Sequence, residues 1–123
     1  MNETLYLVIP CYNEQEVLPE TARRLDEKLG GMIAVGIVSK DSRVLFVDDG
    51  SRDTTWEIIA RLHSENPRFS GLKLSHNQGH QNALVAGLME AKRFCDIAIS
   101  LDADLQDKLY DFKQKRAAKA AEQ

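Results

Sequence analysis

Asp102-Ala103-Asp104 is the arrangement in this chain best suited to holding a metal ion. In extended backbone, alternate side chains point the same way, so carboxylates two positions apart can face one cation at a strand end. Hard oxygen donors suit Mg²⁺ or Mn²⁺. Such an ion can bridge a diphosphate and stabilise the charge left on it as a bond breaks. Gln106 can add an oxygen from the same side. An EF-hand is excluded, because its sixth position would be Asp107 where glycine is required. Read alone, Asp-x-Asp is also an ordinary polar loop, since Asp is common in turns.

Two further clusters carry groups that could recognise a ligand. Asp48-Asp49-Gly50-Ser51 places two acids together. Asp48 can accept hydrogen bonds from a base or a ribose. Asp49 serves a ligand or the turn equally well, and Ser51 or Asp53 can cap the next helix. In Pro10-Cys11-Tyr12-Asn13-Glu14, Tyr12 can stack on a base or pack a loop, and Asn13 is read as a helix cap. Cys11 reads as a small buried residue, because no cation or helix dipole is at hand to activate it. The polar run from His76 to Asn82 opens a helix whose N–H groups can meet an anion. Neither His76 nor His80 has metal-ligand spacing, so both are read as supporting or surface residues.

These clusters need elements to position them, and the hydrophobic pattern alternates strand and helix. Leu5 to Ile9 is a buried strand closed by Pro10. Asn13, with Glu16 three residues on, forms a capping box for a helix carrying Leu18, Ala22, Leu25 and Leu29, stopped by Gly30-Gly31. Met32 to Val38 fits either helix or covering loop. Val44 to Val47 is a second strand, and Thr55, Ile58, Ile59 and Leu62 mark a helix ending near Asn66-Pro67. Gly71 to Ser75 is a third strand. Ala83, Leu84, Gly87, Leu88 and Ala91 form a helix whose small residues would let it lie close to a sheet, and Ile97 to Leu101 is the fourth strand. This order implies a mostly parallel α/β sheet with helices on both faces and right-handed crossovers. Ligands then bind at the carboxyl ends of the strands, where strand order reverses. With order 3-2-1-4, the clusters after strands one, two and four meet at one crevice.

Composition agrees with a single soluble domain: 123 residues, 43% hydrophobic and 28% charged. No apolar run approaches the ~20 residues of a spanning helix, and no leader peptide is evident. Two cysteines do not make a disulfide scaffold, so a reducing, cytoplasmic setting is expected. The net charge of −3 is uneven: residues 1–107 carry 11 basic against 17 acidic residues, while residues 108–123 carry five against two. An acidic body argues against nucleic acid and for a cation site. The basic tail favours helix by propensity and is expected to be solvated or to touch anionic lipid.

Ile9-Pro10-Cys11-Tyr12-Asn13-Glu14, Val47-Asp48-Asp49-Gly50-Ser51-Arg52-Asp53, Asn77-Gln78-Gly79-His80-Gln81 and Leu101-Asp102-Ala103-Asp104-Leu105-Gln106-Asp107 stand in an order and spacing that resemble family-2 glycosyltransferases of the GT-A fold. The subgroup it resembles is that of dolichyl-phosphate mannose synthase and bacterial polyprenyl-phosphate glycosyltransferases. The resemblance covers residues 4–107 and implies a Rossmann-like, nucleotide-binding GT-A half over 1–107, followed by a tail at 108–123 outside the family pattern. It implies that Pro10, Tyr12 and Glu14 line the nucleotide pocket, that Asp48 contacts base or ribose, and that Asp102, Asp104 and Gln106 hold Mg²⁺ or Mn²⁺ on the donor diphosphate. The sugar then passes from a UDP- or GDP-sugar to an acceptor, in this subgroup a polyprenyl phosphate at the cytoplasmic membrane face. Relatives continue from Asp-Leu-Gln-Asp into Pro-Pro and a further hundred or more residues that carry the acceptor region and more of the catalytic apparatus. Here Lys108-Leu109-Tyr110-Asp111 stands instead, and His76 is found where many relatives have Arg. A shortened, peripheral, donor-binding chain is therefore expected, with its catalytic base elsewhere and self-association through an incomplete sheet. The alternatives are a non-catalytic nucleotide-binding partner protein and a receiver-type signalling domain. The second is disfavoured because its acidic pair would follow the wrong strand.

Overall fold

The computed structural model describes residues 2–103 and the backbone of residues 110–111. The strands are β1 (Leu5–Cys11), β2 (Arg43–Asp48), β3 (Phe69–Lys73), β4 (Ile97–Ser100) and β5 (Tyr110–Asp111), and the helices are α1 (Leu18–Ala34), α2 (Thr55–Glu65) and α3 (His80–Lys92). They form one sheet in the order β3-β2-β1-β4-β5. All pairings are parallel except β4 with β5. The expected order 3-2-1-4 is present, with an antiparallel strand added at one edge.

Period-two alternation sorts the strand residues onto two faces. Leu5, Leu7 and Ile9 of β1 and Val44 and Phe46 of β2 pack with Leu18, Ala22, Leu25 and Leu29 of α1 and Ile59 of α2. Val8, Leu45 and Val47 face the other way, onto Ala83 and Ala91 of α3. Both faces are therefore covered, as a parallel sheet requires.

Helix α3 comes close because its inner face is small. A Cβ added at Gly87 would lie 2.6 Å from both Val47 Cγ2 and Val8 Cγ1, and both valines are fully buried. Replacing a mid-helix glycine by alanine ordinarily gains about 0.5–1 kcal/mol, whereas overpacking a tight core costs about 1–3 kcal/mol. The second effect is larger here, because neither valine has room to yield. Gly87→Ala is therefore expected to lower the urea midpoint, and a raised midpoint would show that the helix can lift off the sheet freely.

Four boundaries differ from expectation. Helix α1 starts at Leu18, with Val17 at its N-cap and no side-chain cap bond. Asn13 is not a helix cap: it has φ 53° and belongs to the preceding loop. The start signal is Pro19, whose fixed φ suits the first turn. Helix α1 also runs through Gly30-Gly31, because Met32 and Ile33 still pack on the core. It ends instead in a Schellman motif, with Gly36 N–H donating to Ile33 O, Ile37 N–H donating to Met32 O, and Gly36 at φ 80°. Strand β3 is registered two residues earlier than expected, because Phe69 packs against Phe46 with ring centroids 5.8 Å apart. Strand β5 falls inside the segment expected to be helical, where pairing with β4 overrides propensity.

Candidate functional site

The chain runs outward from β1 to β2 to β3 and then crosses to β4 on the far side of β1. Strand order therefore reverses between β1 and β4. At the carboxyl ends of these strands lies a cleft of about 570 Å³. Its walls are Pro10, Cys11, Tyr12 and Glu14 after β1, Asp49 after β2, Ser100, Asp102 and Ala103 at the end of β4, and Asn77, Gly79, His80, Gln81 and Leu84 at the start of α3.

The loops around the cleft are joined by hydrogen bonds between distant residues. Asn13 N–H donates to Ser51 Oγ (2.9 Å), and Arg52 N–H donates back to Asn13 Oδ1 (2.8 Å). Glu14 N–H donates to Thr55 Oγ1 (2.9 Å). Thr54 gives both its N–H and its hydroxyl hydrogen to Gln15 Oε1. Asp53 accepts from Thr55 N–H (2.9 Å) and Gln15 N–H (3.3 Å). Partial desolvation works against ionisation of Asp53, but the bonds from Thr55 and Gln15 outweigh it and hold its carboxyl below the usual aspartate value. Asn13, Ser51, Asp53 and Thr55 are thus scaffold for the loop that carries Tyr12 and Glu14.

Asp49 Oδ1 accepts Gln78 N–H at 2.7 Å, tying the β2 loop to the entry of α3. Gly50 makes that approach possible, with φ 71° and the backbone of His76 and Asn77 where a side chain would be.

Of the expected site residues, Pro10, Tyr12, Glu14 and Asp102 line the cleft together, and Tyr12 is 40% exposed. Asp48 does not line it. Its carboxylate is fully buried, with Oδ1 accepting Ser51 N–H (3.2 Å) and Oδ2 unpartnered among the described residues. The reason is strand parity: Asp48 continues the Val44–Phe46 face toward α1 and α2, while Asp49 continues the Leu45–Val47 face toward α3 and the cleft. Asp49 is therefore the acid that replaces Asp48 at the cleft wall, and the alternation along β2 contained that signal. Asp104 and Gln106 lie outside the described residues. Cys11 is buried at the cleft floor, its Sγ–H directed at Ile9 O (3.4 Å), and desolvation pushes its pKa far up, away from nucleophilic use.

Three carboxyl-bearing residues, Glu14, Asp49 and Asp102, stand in the walls, and no Lys or Arg does among the described residues. An anionic ligand entering this cleft is repelled by these walls, and an accompanying cation would offset them. Asp102 presents a side chain that is one-third exposed, and His80 Nε2 lies 3.9 Å from its Oδ1. No group of three His, Cys, Asp or Glu forms a complete metal cage among the described residues. A carboxylate and an imidazole facing an open cleft nevertheless fit a divalent ion whose remaining positions are filled by a ligand and water.

Sheet order, two-sided helices and an acidic cleft at the switch point define a Rossmann-like module of the GT-A type. The chain belongs to glycosyl transferase family 2, whose sequence model matches residues 6–119. That match extends past Asp107 into the tail, and it displaces the receiver-type reading. Among relatives, the uncharacterized glycosyltransferase YkoT of Bacillus subtilis (strain 168) is 50% identical over 103 residues, covering 84% of this chain and 31% of its own length. An undecaprenyl-phosphate 4-deoxy-4-formamido-L-arabinose transferase of Enterobacter sp. (strain 638) is 37% identical over 102 residues, covering 82% of this chain and 29% of its own. This chain therefore spans about a third of the length of these relatives. Among solved structures, the mannosyltransferase PcManGT of Pyrobaculum calidifontis, in complex with GDP-Man and Mn²⁺, superposes with a TM-score of 0.67 at 22% identity, over 85% of this chain and 28% of that one. This likeness establishes the fold.

Proposed function

We propose that this chain is the donor-binding part of a metal-dependent glycosyltransferase that moves a sugar from a nucleoside-diphosphate sugar to an acceptor. The observation that carries the reading is the acidic cleft at the β1/β4 switch point, walled by Asp49 and Asp102 and lacking Lys and Arg among the described residues. A diphosphate is repelled by such walls unless a divalent ion accompanies it, so donor and ion bind together. In this reading Tyr12 stacks against the base, Asp49 and Glu14 accept hydrogen bonds from base or ribose, and Asp102, with Asp104 and Gln106, holds Mg²⁺ or Mn²⁺. When bound, the ion supplies charge stabilisation for the departing diphosphate.

The finer parts of the reading are a polyprenyl phosphate acceptor, a peripheral position at the cytoplasmic membrane face and association of copies along the sheet edge. The acceptor is supported by the undecaprenyl-phosphate relative. No helix among the described residues is long and apolar enough to cross a membrane. Titration calorimetry of the 123-residue chain with GDP and with UDP, each with and without Mn²⁺, tests the central claim. Binding of at least one nucleotide that depends on Mn²⁺ is expected. Silence for both nucleotides with the ion present, or equal binding without it, would overturn the reading.

A further inference from the structure

We infer that His80 is a direct ligand of the divalent ion, sharing it with Asp102 through Nε2. This rests on the metal-dependent reading above and deepens it, because the spacing of His80 along the sequence gave no reason to place it in the ligand set. Three observations support it.

The first is position. His80 is the first residue of α3, immediately after Gly79, whose φ of 93° turns the chain into the helix. Helix α3 is seated on β1 and β2 through Ala83, Gly87 and Ala91, and Asp102 is two residues beyond β4, which pairs with β1. The imidazole and the carboxylate are thus held to one another by rigid elements, as two ligands of one ion must be.

The second is the gap. At 3.9 Å, Nε2 and Oδ1 are too far apart for a hydrogen bond. Two donors each about 2.1 Å from a common ion lie at most about 4.2 Å apart. The imidazole, whose side chain is 58% exposed, has room to rotate toward the roughly 3 Å separation of adjacent octahedral positions.

The third is availability. The His80 side chain makes no hydrogen bond among the described residues, whereas the ring of His76 is engaged by Ser75 and Gln78 and the ring of His63 by Phe69 O. His80 is the histidine that lines the cleft.

A neutral imidazole nitrogen in the set favours a transition ion over Mg²⁺, which prefers oxygen and dehydrates reluctantly. The ion is then Mn²⁺ in preference to Mg²⁺.

Pulsed electron paramagnetic resonance of Mn²⁺ bound to the 123-residue chain with GDP tests this without an activity assay. A ¹⁴N modulation from a coordinated imidazole is expected, replaced by a ¹⁵N signature when histidine is ¹⁵N-labelled, and lost in His80→Gln. The same substitution is expected to weaken Mn²⁺ affinity at least about tenfold, since losing even a residue that only supports a ligand costs roughly 10–100-fold. Bound Mn²⁺ with no imidazole modulation in the wild-type chain would overturn the ligand assignment and leave the metal-dependent reading standing. Modulation that persists in His80→Gln would do the same. Failure of the wild-type chain to bind Mn²⁺ with or without GDP would overturn both.

Discussion

Asp102→Asn is expected to reduce Mn²⁺-dependent nucleotide binding by roughly 100-fold or more while leaving the fold intact. The substitution keeps the shape of the side chain and removes its charge. A cation held on a diphosphate contributes several kcal/mol of charge stabilisation, and each ~1.4 kcal/mol is a factor of ten in affinity. The walls of the cleft are acidic, so loss of the ion also restores repulsion between Glu14, Asp49 and the phosphates. The stability cost is small, because the Asp102 side chain is one-third exposed and faces the open cleft. Calorimetry with Mn²⁺ and the nucleotide, beside a urea titration, checks both halves. Unchanged nucleotide affinity with an unchanged urea midpoint would remove Asp102 from the site.

The same residue shows how far the amino-acid pattern reaches. The sheet order, both helical faces and the crevice were legible because buried β runs and 3.6-residue periodicity are local signals that the packed structure reinforces. Leu5 to Ile9 and Val44 to Val47 read as interior strands because they are short, β-branched-rich and closed by Pro10 and by Asp48-Asp49-Gly50. Pro10, Tyr12, Glu14 and Asp102, to which the family resemblance pointed, line the cleft because each sits at or just beyond a strand end. What was missed depended on direction, which the alternation along β2 did carry, and on distant partners, which no local pattern carries. Asp48 and Asp49 are chemically identical, and only the parity of β2 sends the second into the cleft. Asn13 looks like a cap in sequence, yet its amide oxygen is taken by Arg52 N–H 39 residues away. His80 has no carboxylate near it along the chain. Its partner Asp102 becomes adjacent only through the crossover that carries α3 from β3 to β4. Local signals thus position the elements, while the chemistry of the cleft arises from contacts between loops.

Gly50 is where those loop contacts are most exposed to disruption, and Gly50→Ala is expected to be the most destabilising single-methyl change in the site. Its φ of 71° is open to glycine and strained for alanine. The added Cβ would also lie 2.5 Å from His76 C and from Asn77 N. These are backbone atoms, so no side-chain rotation relieves the contact, and either the 49–51 turn or the 76–78 segment must move. Backbone strain of about 1–2 kcal/mol and overpacking of about 1–3 kcal/mol together give a loss of roughly 2–5 kcal/mol. For a domain of this size, each kcal/mol lowers Tm by roughly 2–8 °C, so a fall of the order of 10 °C or more is expected. Gly79→Ala provides the comparison that separates the two effects. Gly79 has φ 93° but nothing within 4 Å of an added Cβ, so that variant bears the strain alone. The larger loss for Gly50→Ala should be accompanied by weaker nucleotide binding, because displacing the 76–78 segment stretches the Asp49–Gln78 bond and moves the entry of α3, with His80, away from Asp102. Equal Tm values for the two variants would mean that the loops part without cost, and the cleft would then lack the rigidity that holding an ion between β4 and α3 requires.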